Sequence, residues 1–311
     1  MTKLLFDPDK CTLCGICADI CPNNAIELGE DMPHLMNADQ CSLCGICEDQ
    51  CPVHAITIPS KPAVELTNSE EFNNKELFAI SKSFVGLLDL RKAPVGVKLL
   101  KPADSIPQHF KKAEMPLRHC VSVHMASLGA SLYLPADAHA CVAARAAFGI
   151  SDLPEKVKSG KVPYMHGLAA SVEAAARIMA EVPKLDIGSA VGTLVGPLQS
   201  YDRPPDVVIL TCLPKQAMWI ANALIYDSGG PRIVANFAGM QACCGDSTTI
   251  PIKTGNVNFS LGCYGCRYAG KLRDNEMYVG IPWVRVQSVV NGLIGLRKAM
   301  GKLKEYQIDR S

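Results

Sequence analysis

The apolar positions of this chain fall into short runs whose period changes along its length. "AIEL" at 25–28 and "AITI" at 55–58 alternate apolar with polar residues, which predicts two short half-buried strands, with "GEDMPH" at 29–34 as a hairpin turn. A helical period follows. Ser69, with Glu70, Glu71 and Phe72 behind it, opens a segment in which Leu77, Ile80, Phe84, Leu87 and Leu88 recur every 3.6 residues. "PVGVKLL" at 94–100 is a buried strand by its continuous apolar run. Strand-like runs come again at 131–135, 190–196, 206–211, 256–262 and 277–283. Helical patterns intervene: "PKQAMWIANALIY" opens with Pro214 in its first turn, and "VQSVVNGLIGLRKAM" at 286–300 closes the chain. Such alternation predicts a larger α/β domain with a mixed sheet.

Composition places a boundary. Residues 59–77 shift to Pro, Ser, Asn and charge. The expected division is a small α+β module at 1–60, a linker at 61–75 and the α/β domain at 76–311. With 311 residues, 48% of them hydrophobic, the chain can bury a sizeable core. Its net charge of +1 favours no nucleic-acid partner, but the average hides a split. Residues 1–60 carry Lys3 and Lys10 against nine acidic side chains, so the remaining 251 are net basic. No apolar leader precedes the first cysteine and no apolar run is long enough to span a bilayer, so the expected location is the cytoplasm, without membrane contact. Disulfides rarely persist there, and fifteen cysteines then point to metal or redox chemistry.

Eight of those cysteines form an internal repeat. "DKCTLCGICADICPNNAIEL" at 9–28 returns as "DQCSLCGICEDQCPVHAITI" at 39–58, each with the spacing C-x2-C-x2-C-x3-C-P. Three thiolates on a tight loop cap three corners of an iron–sulfur cube, and the fourth points to the other cube. That arrangement gives one [4Fe–4S] cluster to Cys11, Cys14, Cys17 and Cys51 and the second to Cys41, Cys44, Cys47 and Cys21. Structural zinc also takes cysteine quartets, but it does not explain three-plus-one spacing twice over. Residues 4–58 resemble bacterial-type two-cluster ferredoxin domains, which implies single-electron transfer at low potential.

The stretches "PVGVKLL", "LRHCVSVHMASLGASLYLPADAHACVAARAAFGI", "VGPL", "PDVVILTCLPKQAM" and "LGCYGCRYAG" resemble, in this order, a family catalogued only as domain of unknown function 169. The resemblance spans about 94–282 and implies a shared fold and a site near these motifs, with no established reaction. Where many relatives carry Cys-Pro-Gly-Gly, this chain reads "CVAAR".

Seven cysteines remain. Cys212 ends an apolar strand and reads as core. Cys263 and Cys266 flank Tyr264 and Gly265 in a loop that glycine leaves open to a bound atom; a redox disulfide is the alternative reading. Further ligands would come from Cys120, Cys141 and Cys244, each beside polar residues at an element start. Cys243 is chemically equal to Cys244, which fits the family's spacing to Pro251 better. These thiols would hold a third iron–sulfur cluster, with zinc as the alternative. His119, His139 and Tyr264 are candidate proton donors, and Arg118 and Arg267 candidate anion clamps. No nucleotide or flavin fingerprint is present. The functional expectation is a reductase that takes electrons from a soluble low-potential donor such as ferredoxin and reduces, or reductively eliminates from, a small anionic substrate. The alternative is a non-catalytic electron carrier or a metallocofactor maturation factor whose acceptor is another protein.

Overall fold

Each half of the cysteine repeat folds as a short helical turn followed by a strand. In this computed structural model, which describes residues 4–19, 21, 25–31, 33–35, 46–49, 51–53, 55–57 and 75–308, the elements run β1 (Leu5–Phe6), α1 (Ile16–Asp19), β2 (Ile26–Leu28), β3 (Pro33–Leu35), α2 (Ile46–Asp49) and β4 (Ile56–Thr57). β1 pairs antiparallel with β4, and β2 with β3. The expected hairpin is the β2–β3 pair, with Pro33 and His34 drawn into its second strand. Leu4, Ile26, Ala55 and Ile56 pack with Cys17, Cys47 and Cys51. A unit this small can bury only a limited core, and bound metal is the usual remedy. The predicted linker, the helix start at Ser69–Phe72, and Cys41 and Cys44 lie outside the described residues.

The chain divides into compact units Met1–Val64 and Glu65–Ser311. The second begins its described part with α3 (Lys75–Leu88), β5 (Val95–Leu100), β6 (Lys111–Lys112), α4 (His119–Ser127), β7 (Leu132–Pro135), α5 (Val142–Ala147), α6 (Glu155–Lys158), α7 (Lys161–Met165) and α8 (Val172–Ala180). It continues with β8 (Gly192–Pro197), β9 (Val207–Cys212), α9 (Pro214–Ile225), a π-helical turn (Ala242–Thr249), α10 (Ile250–Thr254), β10 (Asn258–Ser260), α11 (Tyr264–Tyr268), β11 (Met277–Pro282) and α12 (Trp283–Ile308). Among the described residues no helix is long and apolar enough to cross a membrane.

Seven strands form one mixed sheet in the order β10-β11-β9-β5-β8-β7-β6. Every neighbouring pair is antiparallel except β6 with β7. The sheet is covered on both faces, so its central strands read as continuous apolar runs. Strand parity sorts their side chains. Val208, Leu210 and Cys212 of β9 face the layer built by α3, α9 and α12. Val207 and Ile209 face the other layer, with α4, α5 and the π turn. Leu77, Ile80, Phe84 and Leu88 of α3 are buried as the helical period requires, and Leu87 sits half-buried at the edge. Tyr201 staples two strands: its hydroxyl donates to Gly96 O at 2.7 Å and Leu194 O at 2.9 Å.

Candidate metal centre

In the N-terminal unit, Cys11, Cys14 and Cys17 share one small enclosed cavity with Cys51, which comes from the other half of the repeat. Gly15 turns the loop at φ +77°, a conformation that favours glycine. Backbone N–H groups donate to sulfur on both crossing cysteines, Ala25 to Cys21 at 3.3 Å and Ala55 to Cys51 at 3.2 Å. Burial pushes the Cys17 thiol up, and the neighbouring Cys11 and Cys14 add to that. A cationic iron core relieves the cost of ionising a buried thiol such as Cys17, and four cysteines around one cavity fit a cluster.

The second unit gathers its thiols on one face of the sheet. Cys120 lies in the first turn of α4, Cys141 immediately precedes α5, Cys243 and Cys244 lie in the π turn, and Cys263 and Cys266 belong to α11 and its N-cap. These segments are far apart in sequence and meet because each runs off the same side of the sheet. The Cys263 and Cys266 sulfurs are 3.3 Å apart, a hydrogen-bond contact and not a disulfide. Cys120 donates to Gly265 O at 3.5 Å, and Cys244 to Gln241 O at 3.6 Å. Burial pushes the thiols of Cys243 and Cys244 up; Cys266 and Cys120 add to the first, and Cys141, Cys266 and Cys263 to the second. Cys263 is also pushed up, first by its hydrogen bond to Cys266 and then by burial. Cys266 is the hub. Its contact with Cys120 works against ionisation, but hydrogen bonds from Cys243 and Cys263 outweigh it and leave Cys266 lowered. Cys212 faces the opposite layer and is fully buried there.

The segment around Cys263 was expected as an open loop. It is a single helical turn, Tyr264–Tyr268, with Cys263 as N-cap, and Gly262 enters it at φ +86°. Gly270 sets how closely α4 approaches. A Cβ there would meet Cys266 O at 2.8 Å and Cys120 O at 3.0 Å, so only glycine lets the two cysteine-bearing segments touch. The π turn begins at Gln241 in a left-handed conformation, φ +49°, unusual for a side-chain-bearing residue; π segments and such backbone recur at functional sites.

The other candidate residues separate into buried and exposed groups. His119 and His139 are both buried and pack edge-on against Phe148. Thr248 donates to Cys243 O, so its hydroxyl accepts from His119 Nε2 at 3.2 Å. Burial holds His119 down to about 3, with His139 adding to it, and holds His139 down to about 4. Both are therefore neutral at physiological pH. The Nδ1 atoms of both histidines, Arg145 Nε and Ser247 Oγ are buried without a protein partner. Arg267 is committed to backbone, donating to Leu261 O at 2.6 Å and to Arg273 O. Arg118 is exposed, its guanidinium beside Gly265 and the Cys263 sulfur. Tyr264 and Tyr268 are exposed and stacked at 6.0 Å. Sequence reasoning set Cys243 second to Cys244, whereas the fold brings both to the group. It missed Tyr278, whose buried phenol is pushed up by burial and by Cys243, Cys266 and Cys120. Nothing in a strand sequence marks which residue will face a distant thiol.

Among the described residues no three His, Cys, Asp or Glu side chains enclose a single metal ion. That holds also for Cys11, Cys14, Cys17 and Cys51. A cube spreads its thiolates over separate iron corners, so the absence of a single-ion cage does not weigh against a cluster.

The model of the family described as uncharacterised ArCR, domain of unknown function 169, matches residues 83–292. The 4Fe-4S binding domain matches twice, at 4–27 and 35–57. The uncharacterized protein MJ0308 of Methanocaldococcus jannaschii is 29% identical over 220 residues, 70% of this chain and 94% of its own length. No solved structure matches.

Proposed function

The chain belongs to the uncharacterised ArCR family and is an iron–sulfur electron-transfer protein, and from that premise we propose that its ArCR domain is the electron acceptor of its own ferredoxin module. The observation that carries the reading is the convergence of six thiols from four separate segments, each within electrostatic reach of at least one other and most of them of Cys266. In this reading Cys120, Cys141, Cys244, Cys263 and Cys266, with Cys243 beside them, hold a third iron–sulfur cluster. Such a group supplies one-electron reduction at a protected site. Cys266, whose thiol the hydrogen bonds from its neighbours hold below the ordinary value, anchors the set. Arg118, the exposed cation at its edge, receives a small anionic substrate, while Arg267 positions the α11 turn through its backbone bonds. Tyr264, exposed beside Cys263, is the proton donor within reach of solvent. His119 and His139 keep the interior beside the thiols uncharged. Electrons come from a soluble low-potential carrier in the cytoplasm. Fusion of the module to the acceptor keeps the local donor concentration high.

The test uses the full chain, purified or reconstituted without oxygen. Iron and acid-labile sulfide should reach three cubes per chain. Cys263→Ser with Cys266→Ser should bring both to two cubes and leave the ferredoxin signals in paramagnetic resonance unchanged. Two cubes in the wild-type chain, or zinc at the third position, would reject the third cluster. The module would then serve an acceptor outside this chain, as a carrier or maturation factor.

A further inference from the structure

One opening in the second unit lies not at the thiols but behind the π turn. A cavity of about 690 Å³ lies between the end of α8, the segment 236–241 that leads into the turn, and α10. Ligand pockets are typically about 300–1,000 Å³ and mostly apolar, with a few placed polar groups. This one fits that pattern. Ile178, Met240 and Ile250 line it, together with charged groups of both signs. One of them, Asp246, is 2% exposed; its Oδ2 accepts from Ser260 at 2.8 Å, and no cation stands beside it among the described residues. Arg177 and Lys253, both exposed, line it as well, with Glu181 offsetting one of the two positive charges.

The wall is braced and not a loose flap. The Asn258 side chain accepts from Asn236 N at 2.9 Å and donates to Asn236 O and to Asp246 O, both at 2.8 Å. One buried amide thereby ties the 236–241 segment to Asp246. A polar group buried without a counterion is costly unless something completes it. A plain anion would meet the Asp246 charge, and a plain cation would meet Arg177 and Lys253. A molecule with opposite charges at its two ends and an apolar body satisfies both ends.

We propose that this cavity binds a small zwitterion with an apolar middle, of the size and class of a hydrophobic dipeptide, its ammonium on Asp246 and its carboxylate on Arg177 and Lys253. The site is independent of the redox reading, because binding requires no cluster. Gln241 lines the cavity while its carbonyl accepts from Cys244, so an occupant lies one residue away from the thiol group.

The experiment is calorimetric titration of the full chain with L-leucyl-L-leucine and two matched analogues. N-isocaproyl-L-leucine lacks the ammonium, and L-leucine isoamylamide lacks the carboxylate. The dipeptide should bind, and each analogue should bind at least about tenfold more weakly. Arg177→Ala, a change at an exposed helix position, should weaken the dipeptide about tenfold and leave the isoamylamide unaffected. Asp246→Asn should weaken the dipeptide and leave the isocaproyl compound unaffected. Absence of binding by the dipeptide, equal affinity for all three compounds, or indifference of the dipeptide to Arg177→Ala would each overturn the proposal. Iron content plays no part in this readout, so its failure and that of the third cluster are separate.

Discussion

Gly280 decides whether the thiol-bearing π turn can sit on the sheet. It lies in β11, paired with Ile209 of β9 on one side and Asn258 of β10 on the other. A Cβ at this position would stand 2.1 Å from Ser247 O and 2.7 Å from Ser247 C, where ordinary contact begins at 3.4 Å. Both partners are backbone, so no rotamer change relieves the clash. The strand or the turn must retreat by more than an ångström. Overpacking a core costs about 1–3 kcal/mol, and a backbone clash without an escape belongs at the upper end, about 3 kcal/mol. For a unit of this size that lowers the unfolding midpoint by roughly 6–12 °C. Gly86 is the internal control. It is exposed in α3, with nothing within 4 Å of its would-be Cβ. Alanine there should raise stability by about 0.5–1 kcal/mol through helix propensity. The assay is thermal and urea unfolding of Gly280→Ala, Gly86→Ala and wild type, with thiol-reagent kinetics on the metal-free protein. Lifting the turn should speed the reaction of the otherwise buried Cys243 and Cys244. If Gly280→Ala unfolds at the wild-type midpoint with unchanged thiol kinetics, the turn is not seated on β11 as described.

Two further predictions concern groups beside the cavity and the thiols. Burial raises Asp246 to about 6 from 3.8, partly offset by Ser260, while burial lowers His119 to about 3 and His139 to about 4 from 6.5. Below pH 6.5 the unfolded chain takes up protons that the two buried histidines refuse, so stability falls as pH drops. Asp246 acts oppositely between pH 3.8 and 6, since the folded chain holds a proton that the unfolded chain releases. Asp246→Asn should therefore steepen the loss of stability between about pH 4 and 6 by about 1.4 kcal/mol per pH unit; parallel stability–pH lines for variant and wild type would rule out a raised Asp246. Asn258→Ala removes three hydrogen bonds and should cost about 2–4 kcal/mol in urea unfolding. It should also open the 227–240 segment to limited proteolysis, and protection equal to wild type would show that the segment is held by other contacts.

Period and spacing alone located the central strands of the sheet and the helices α3, α9 and α12 that cover one face. Apolar runs of period two and 3.6 are local properties, and β5, β9, α9 and α12 formed where those runs lie. The twofold repeat of four cysteines was legible for a similar reason: iron–sulfur loops carry three of four ligands within a few residues of one another, so the chemistry is written in adjacent chain. The place of Cys212 required more. Its apolar strand suggested core, but only the parity of β9 in a sheet covered on both faces put it on the layer away from the other thiols. Strand order was undetermined because antiparallel neighbours can be joined in many orders by connections that leave no local mark. The convergence of Cys120 and Cys141 with the π turn and α11 depends on that order, and on Gly270 and Gly280 permitting backbone contact. The cavity is the extreme case. Arg177, Asp246 and Lys253 belong to no shared motif, and Asp246 looks like an ordinary polar residue after a glycine. Its burial comes from Asn258 pinning a distant segment over it, a contact that exists only once the sheet has placed β10 beside β11.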